Sequence, residues 1–319
     1  METKMIFMSV CVLVPSYNHA PFVERTLRSI FAQTYPPKKL IVIDDGSKDE
    51  SAEIIERVLQ DCPFNCSFIR HENRGLSATL NEGFAQTDGD YFSYLGSDDV
   101  WLPRFLEKRI ELLQKRPRAV LAFGHSFLID EADQIIDCTD AWTEFADGDM
   151  LPLLLRGMIF SSPSVVYRRT ALDNHAWNED SILEDYELYL KLSADGEFAL
   201  DSQVLCAWRQ HGWNVSGDIS VMLDEWLAAQ NRVAGRLKIS SEELGKIQSE
   251  LKFNASFDFI RRGEKLNAVR LMRENLRGAK SVGQVMKMLV RLSIPRRIFQ
   301  WNRQRKRQNA IEKYGKLIV

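Results

Sequence analysis

The chain has 319 residues, 45% of them hydrophobic and 27% charged, so it can bury a full core and has the length of about two domains. Its formal net charge of -2 hides an asymmetry: residues 286–319 hold ten Lys or Arg against the single acid Glu312, a +9 tail on a body of -11. That split excludes nucleic acid as the main partner of the body, and no apolar run approaches the roughly 18 residues that span a bilayer.

From the N-terminus, "MIFMSVCVLVPSYN" lacks the basic region and small-residue cleavage site of a signal peptide, and Ser9 to Val14 reads as a buried strand. A helix is predicted from Pro21 to Gln33, a strand at Lys39 to Ile43, a helix from Glu50 to Gln60, and a strand at Ser67 to Arg70. A helix follows from Ser77 to Gln86, then the strand "DYFSYL". This β-α alternation is the pattern of a parallel sheet with crossover helices. Pro103 to Lys115 reads as a helix, and "AVLAFGHSFLI" with "QIIDC" as a strand pair where the sheet becomes mixed. Met150 to Arg156 is expected helical, "PSVVYRR" extended, Glu184 to Ser193 helical with Gly196 as its stop, and "VLCAWRQHG" extended. From Asp218 the pattern is helical to the end. The five cysteines are scattered and lack zinc-ligand spacing, which reads as reduced thiols in a cytosolic protein.

Three polar loops follow predicted strands at their carboxyl ends: "PSYNH" (Pro15 to His19), "DDGS" (Asp44 to Ser47) and "GSDD" (Gly96 to Asp99). Ligands of open α/β sheets sit beyond those ends, so the acids are expected to converge in one cleft. Four carboxylates there would repel unless a hard divalent cation, shared with a phosphorylated ligand, compensated them. A dinucleotide is disfavoured, since no Gly-x-Gly-x-x-Gly turn or P-loop occurs.

The stretches "CVLVPSYNHAPFVERTLRSIFAQTYPPKKLIVIDDGSKDES", "NRGLSATLNEGFAQTDGDYFSYLGSDDVW" and "EDYELYLKL", in that order, resemble the inverting glycosyltransferases of family 2 over about residues 8–216. The resemblance implies an α/β chain of GT-A fold, Rossmann-like with a mostly parallel central sheet flanked by helices. The expected division is a catalytic domain over 1–216 and a helical C-terminal region with the basic tail over 217–319. It implies that Pro15 and Tyr17 line a nucleobase pocket, that Asp45 accepts from the base, and that Asp44 shapes the turn or reaches the ribose. Asp98 is expected near the ribose and the metal, and Asp99 on the metal. Many members carry an acid where this chain has Gly96, which leaves one carboxylate fewer. Asn73, Arg74 and Ser77 approach the nucleotide in the family, although a turn and a helix N-cap account for them equally.

The resemblance also makes Asp185 the catalytic base, beside Glu184, at a helix start where acids are favoured in any case. Arg209 is expected to close over the diphosphate and His211 to help hold the metal, with a structural histidine as the alternative. Trp213 reads as a sugar-stacking or packing residue, next to Asn214. The implied cofactor is Mn2+ or Mg2+. The implied partners are a nucleotide-diphosphate sugar, most readily a UDP-sugar, and a saccharide or lipid-linked hydroxyl acceptor, in polysaccharide or glycolipid biosynthesis. A non-catalytic nucleotide-sugar sensor of the same fold is the alternative, and a nucleotidyltransferase would need a Gly-rich basic first loop. The basic tail, rich in Leu, Ile, Phe and Trp, suits peripheral contact with an anionic inner membrane face, or else is a solvated or partner-bound helix.

Overall fold

Val10–Ser16 (β1) is buried along its whole length, as expected of a central strand with both faces covered. Successive side chains point to opposite faces. Val10, Val12 and Val14 join the apolar cluster on one face and Leu13 the cluster on the other. The computed structural model describes residues 8–142, 144–212 and 218–318, so Trp213 and Asn214 lie outside the described residues.

In chain order, β1 is followed by Val23–Phe31 (α1), Lys39–Asp44 (β2), Ser51–Leu59 (α2), Cys66–Arg70 (β3), Leu76–Ala85 (α3) and Tyr91–Tyr94 (β4). Next come Val100–Trp101 (β5), Phe105–Lys115 (α4), Ala119–Gly124 (β6), Phe127–Ile129 (β7) and Ile135–Cys138 (β8). Leu151–Leu154 (α5), Val166–Arg168 (β9), Arg169–Leu172 (α6), Glu184–Ser193 (α7), Glu197–Asp201 (β10) and Cys206–Arg209 (β11) follow. The described helices close with Ile219–Val233 (α8), Ser241–Arg262 (α9), Lys265–Glu274 (α10), Val282–Ser293 (α11) and Arg296–Tyr314 (α12).

Seven strands form one sheet in the order β10-β6-β9-β4-β1-β2-β3. Its pairs are parallel except at β9, which runs antiparallel to both β4 and β6. The sequence pattern places the mixing at "AVLAFGHSFLI" with "QIIDC"; in the large sheet it comes from β9, which inserts between β4 and β6. Two details differ. The run "AVLAFGHSFLI" splits at Gly124 into β6 of the large sheet and β7 of a second, four-stranded sheet, β5-β11-β7-β8. A Cβ at Gly124 would lie 2.5 Å from Arg109 Nη2 and 2.7 Å from the Asp201 carbonyl, so glycine permits the close approach at which the chain leaves the sheet. Strands β5 and β10 have no counterpart in the sequence pattern; β5, with two residues, is too short to carry periodicity.

The C-terminal helices carry local start and stop signals. Asp218 caps α8, Ser240 caps α9, Ser281 caps α11, and Gly263 ends α9 in the left-handed conformation. The chain then returns to the N-terminal half. Leu317 packs with Val100, Ile129, Ile135 and Ala207 of the small sheet, and Arg307 pairs with Asp130 at 2.6 Å. No helix among the described residues is long and apolar enough to cross a membrane.

Candidate active site

The carboxyl ends of β1, β2 and β4 open onto one cleft of about 460 Å³. Its first wall is the "PSYNH" loop, held open by Asn18 in the left-handed region (φ 54°), where Asn is tolerated. Asn18 N donates to Ser47 Oγ and Lys48 N donates back to Asn18 Oδ1, so this loop is locked to the "DDGS" turn. Pro15 and Tyr17 line the cleft, Tyr17 at 42% exposure at its mouth.

The turn after β2 needs its glycine. Gly46 has φ 77°, and a Cβ there would lie 2.6 Å from the Asn73 amide nitrogen. Asp44 is wholly buried below the turn, where its Oδ1 accepts from Ser47 N at 2.9 Å. Asp45 faces the cleft, and its two oxygens accept from Arg74 N at 2.7 Å and Gly75 N at 2.9 Å. It thereby satisfies amides ahead of α3 from a distant part of the chain. Asn73 Nδ2 donates to the Asp45 carbonyl and also lines the cleft. Ser77 is buried in the first turn of α3, between the lining residues Leu76 and Thr79 but not itself part of the cleft wall.

The "GSDD" loop brings its carboxylates against two imidazoles. Asp98 Oδ2 lies 2.9 Å from His211 Nε2, and Asp98 Oδ1 lies 3.8 Å from His19 Nδ1. One ligand atom from each of His19, Asp98 and His211 falls within 4.8 Å of the others, a spacing that suits a single cation. Phe22 stacks on the His211 ring at 5.5 Å and fixes its plane, while His19 meets that ring edge-on. Burial opposes the Asp98 carboxylate, but the His211 hydrogen bond and the electrostatic attraction of His19 and His211 outweigh it and hold its pKa below the ordinary value. Burial lowers the His19 pKa, which favours the neutral, metal-ligating form.

Asp99 differs from its neighbour. Its Oδ1 accepts from the Arg209 amide at 2.8 Å, and burial together with the Asp98 charge raises its pKa well above the usual range. It lines the cleft but is absent from the His-Asp-His cluster. A Cβ at Gly96 would lie 2.9 Å from Asp98 Oδ1 and 3.3 Å from Asp99 Oδ2, so position 96 faces both carboxylates.

Arg209 sits under this loop and not over the cleft. It is 1% exposed, with Nε donating to the Asp98 carbonyl, Nη1 to the Asp130 carbonyl and Nη2 to Asp133, each at 2.7 Å. The guanidinium also lies 4.7 Å above the Phe22 ring. A planar fork with this many fixed acceptors braces the acidic loop from below.

Across the cleft, Glu184 and Asp185 occupy the first turn of α7, where the helix dipole favours anions. Tyr94 OH donates to Glu184 Oε1 at 3.1 Å. Burial raises the Glu184 pKa, and burial plus the Glu184 charge raises that of Asp185 further. Two adjacent carboxyls of this kind can hold and release a proton above the normal carboxylate range. His19 is the site residue that the sequence pattern does not single out. Its place at the end of the first polar loop is the available signal.

The family model described as Glycosyl transferase family 2 matches residues 11–175, just over half of the chain. An uncharacterized glycosyltransferase of Nostoc sp. is 29% identical over 170 residues, 52% of this chain and 52% of its own length, so the match spans about half of that relative. Among solved structures, a mannosyltransferase from Pyrobaculum calidifontis, in complex with GDP-Man and Mn2+, aligns with TM-score 0.61 at 17% identity, covering 96% of this chain and 86% of that one. Residues 1–349 of TarS from S. aureus, in complex with UDP-GlcNAc, align with TM-score 0.54 at 18% identity, covering 85% and 90%.

Proposed function

The chain belongs to glycosyl transferase family 2 and is a glycosyltransferase, and on that premise we propose that it moves one sugar from a nucleotide-diphosphate donor to a hydroxyl acceptor with inversion at the anomeric carbon. One observation carries the reading: the His19-Asp98-His211 cluster and the Glu184-Asp185 pair line the same cleft as Pro15, Tyr17, Asp45 and Asn73.

In this reading the nucleobase stacks near Tyr17 against the floor that Pro15, Asp45 and Asn73 form. Asp44 acts below that floor by holding the turn through Ser47 N, and Arg209 acts by bracing the acidic loop. Two imidazoles and a carboxylate suit Mn2+ better than Mg2+, which prefers oxygen. His19, Asp98 and His211 would hold the ion, with Asp99 beside them, and we read His19 as supplying the ligand that Gly96 does not. A bound ion there supplies neutralisation of the diphosphate leaving group. Asp185 takes the acceptor proton on the opposite side of the sugar, and Glu184, tied to Tyr94, orients it. Enclosure of this carboxyl pair keeps bulk water from competing for the anomeric carbon.

The test is a screen of nucleotide-diphosphate sugars by thermal shift with Mn2+ present. A cognate donor at 100 times its Kd should stabilise the chain by about 2.7 kcal/mol, and UDP-sugars are expected to give the largest shift. No shift with any nucleotide sugar would overturn the reading.

We also divide the chain into a catalytic domain over 1–216 and a helical region over 217–319, and place the protein in the cytoplasm at the inner membrane face. That placement is supported by α11, which exposes Val282, Met286 and Val290 at 79%, 55% and 62%, and by the exposed Trp301 among the arginines of α12. Co-sedimentation with anionic but not neutral vesicles, lost at high salt, is the expected result. Failure to bind either kind removes the placement.

A further inference from the structure

Next to the catalytic cleft lies a second cavity of about 570 Å³ between the facing stripes of α9 and α12. On α12 the stripe is Arg296, Phe299, Gln300 and Arg303, the one-face spacing of a helix that should present apolar residues to its neighbour. Across from it, α9 contributes Arg261 and Arg262, and Arg156 closes one side. Five solvent-exposed arginines thus line a cavity whose single acid among the described lining residues is Asp258.

Only part of this charge is spent inside the protein. Arg156 reaches Glu250 at 3.5 Å and Arg261 reaches Asp258 at 3.5 Å. The Arg262 charge also acts on Asp258, and among the described residues Arg296 and Arg303 have no ion-pair or hydrogen-bond partner. Arg296 also stands in the first turn of α12, which holds no acid, so the helix dipole opposes its charge. These arginines are solvent-exposed, so the stripe forms the basic wall of an open cavity, where guanidinium groups without a partner can take up an anion.

Two residues connect the cavities. Trp208 and Met222 line both this one and the catalytic cleft. A molecule with its anionic part among the arginines can therefore extend along Trp208, whose indole offers a face for a sugar ring, toward Asp185. Several converging guanidinium forks match phosphate oxygens bidentately, and a cavity of this volume holds a diphosphate with room to spare.

We propose that the cavity between α9 and α12 is the acceptor subsite, and that the acceptor carries a phosphate or diphosphate group which these arginines hold. The inference rests on the glycosyltransferase reading of the adjoining cleft. It names the acceptor by its charge, whether that phosphate is carried on a lipid or on a water-soluble glycan.

The experiment titrates inorganic pyrophosphate into the full chain by calorimetry in the presence of chelator, so that no metal in the donor cleft can retain it. The expected result is saturable binding that weakens with salt. Binding should fall about tenfold per arginine removed, hence about a hundredfold in Arg262→Gln combined with Arg303→Gln, and be partly kept in the corresponding Lys variants. Binding of UDP with Mn2+ should be unchanged in all of them. No pyrophosphate binding, or equal binding by the double Gln variant, would overturn the subsite. Loss of UDP binding by the unaltered chain would instead sink the reading of the donor cleft. Geranyl diphosphate forms a second arm: binding at least tenfold tighter than pyrophosphate assigns a lipid-carried phosphate, and equal binding assigns a soluble one.

Discussion

Replacing Asp185 by Asn should lower turnover by about a hundredfold to ten-thousandfold, the usual contribution of a positioned general base, while the donor dissociation constant stays within about twofold. The amide keeps the side chain's shape and removes its ability to take a proton. The pH dependence carries a second, signed expectation. Burial and the Glu184 charge both raise the Asp185 pKa. The proton-accepting form is therefore lost as pH falls, starting above the ordinary carboxylate range, and the acid limb of kcat/KM should lie correspondingly high. Glu184→Gln removes the charge that pushes Asp185 upward, so this variant should retain more activity than Asp185→Asn and move the acid limb to lower pH. The two carboxyls titrate as a pair, and the limb reports the pair. A nearly active Asp185→Asn beside a dead Glu184→Gln would transfer the base to Glu184.

Chelation should abolish transfer and added Mn2+ should restore it, and Asp98→Asn should weaken Mn2+-dependent nucleotide binding by at least about a hundredfold through loss of the only carboxylate in the cluster. Phe22→Ala offers a graded companion. Phe22 offers no ligand atom, yet it stacks on His211 and lies under Arg209. Its removal should cost about tenfold to a hundredfold in metal affinity, as for other groups that only orient a ligand. Calorimetry with UDP and Mn2+ measures both effects. Full activity in excess chelator would show that the cleft works without a metal.

Near neighbours along the chain govern the part of the fold that is legible in the sequence. The alternation of β-branched runs with helix-like stretches marks β1 to β4 as strands of a parallel sheet, because a fully buried strand needs apolar residues on both faces and a short polar loop at its end. The same logic puts "PSYNH", "DDGS" and "GSDD" on one side of the sheet. Glu184 and Asp185 stand out through the family resemblance, since a helix start favours acids in any case.

The tertiary structure decides which side chains of those loops face the ligand and which hold the loops in place. Asp44 and Asp45 are adjacent, but only Asp45 lines the cleft, because consecutive residues of a turn point in different directions and Gly46 lets the backbone press against Asn73. Arg209 and His211 share one short motif, yet the side chains separate: Arg209 turns under the loop to Asp133, and His211 reaches Asp98 from 113 positions away. His19 joins that cluster only because β1 and β4 are neighbours in the sheet. The basic stretch near the C-terminus is visible in the sequence as charge alone. That some of its arginines line a cavity shared with α9 follows from the docking of α12, which depends on contacts such as Arg307 with Asp130 and Leu317 with the small sheet, too distant along the chain for local pattern to encode.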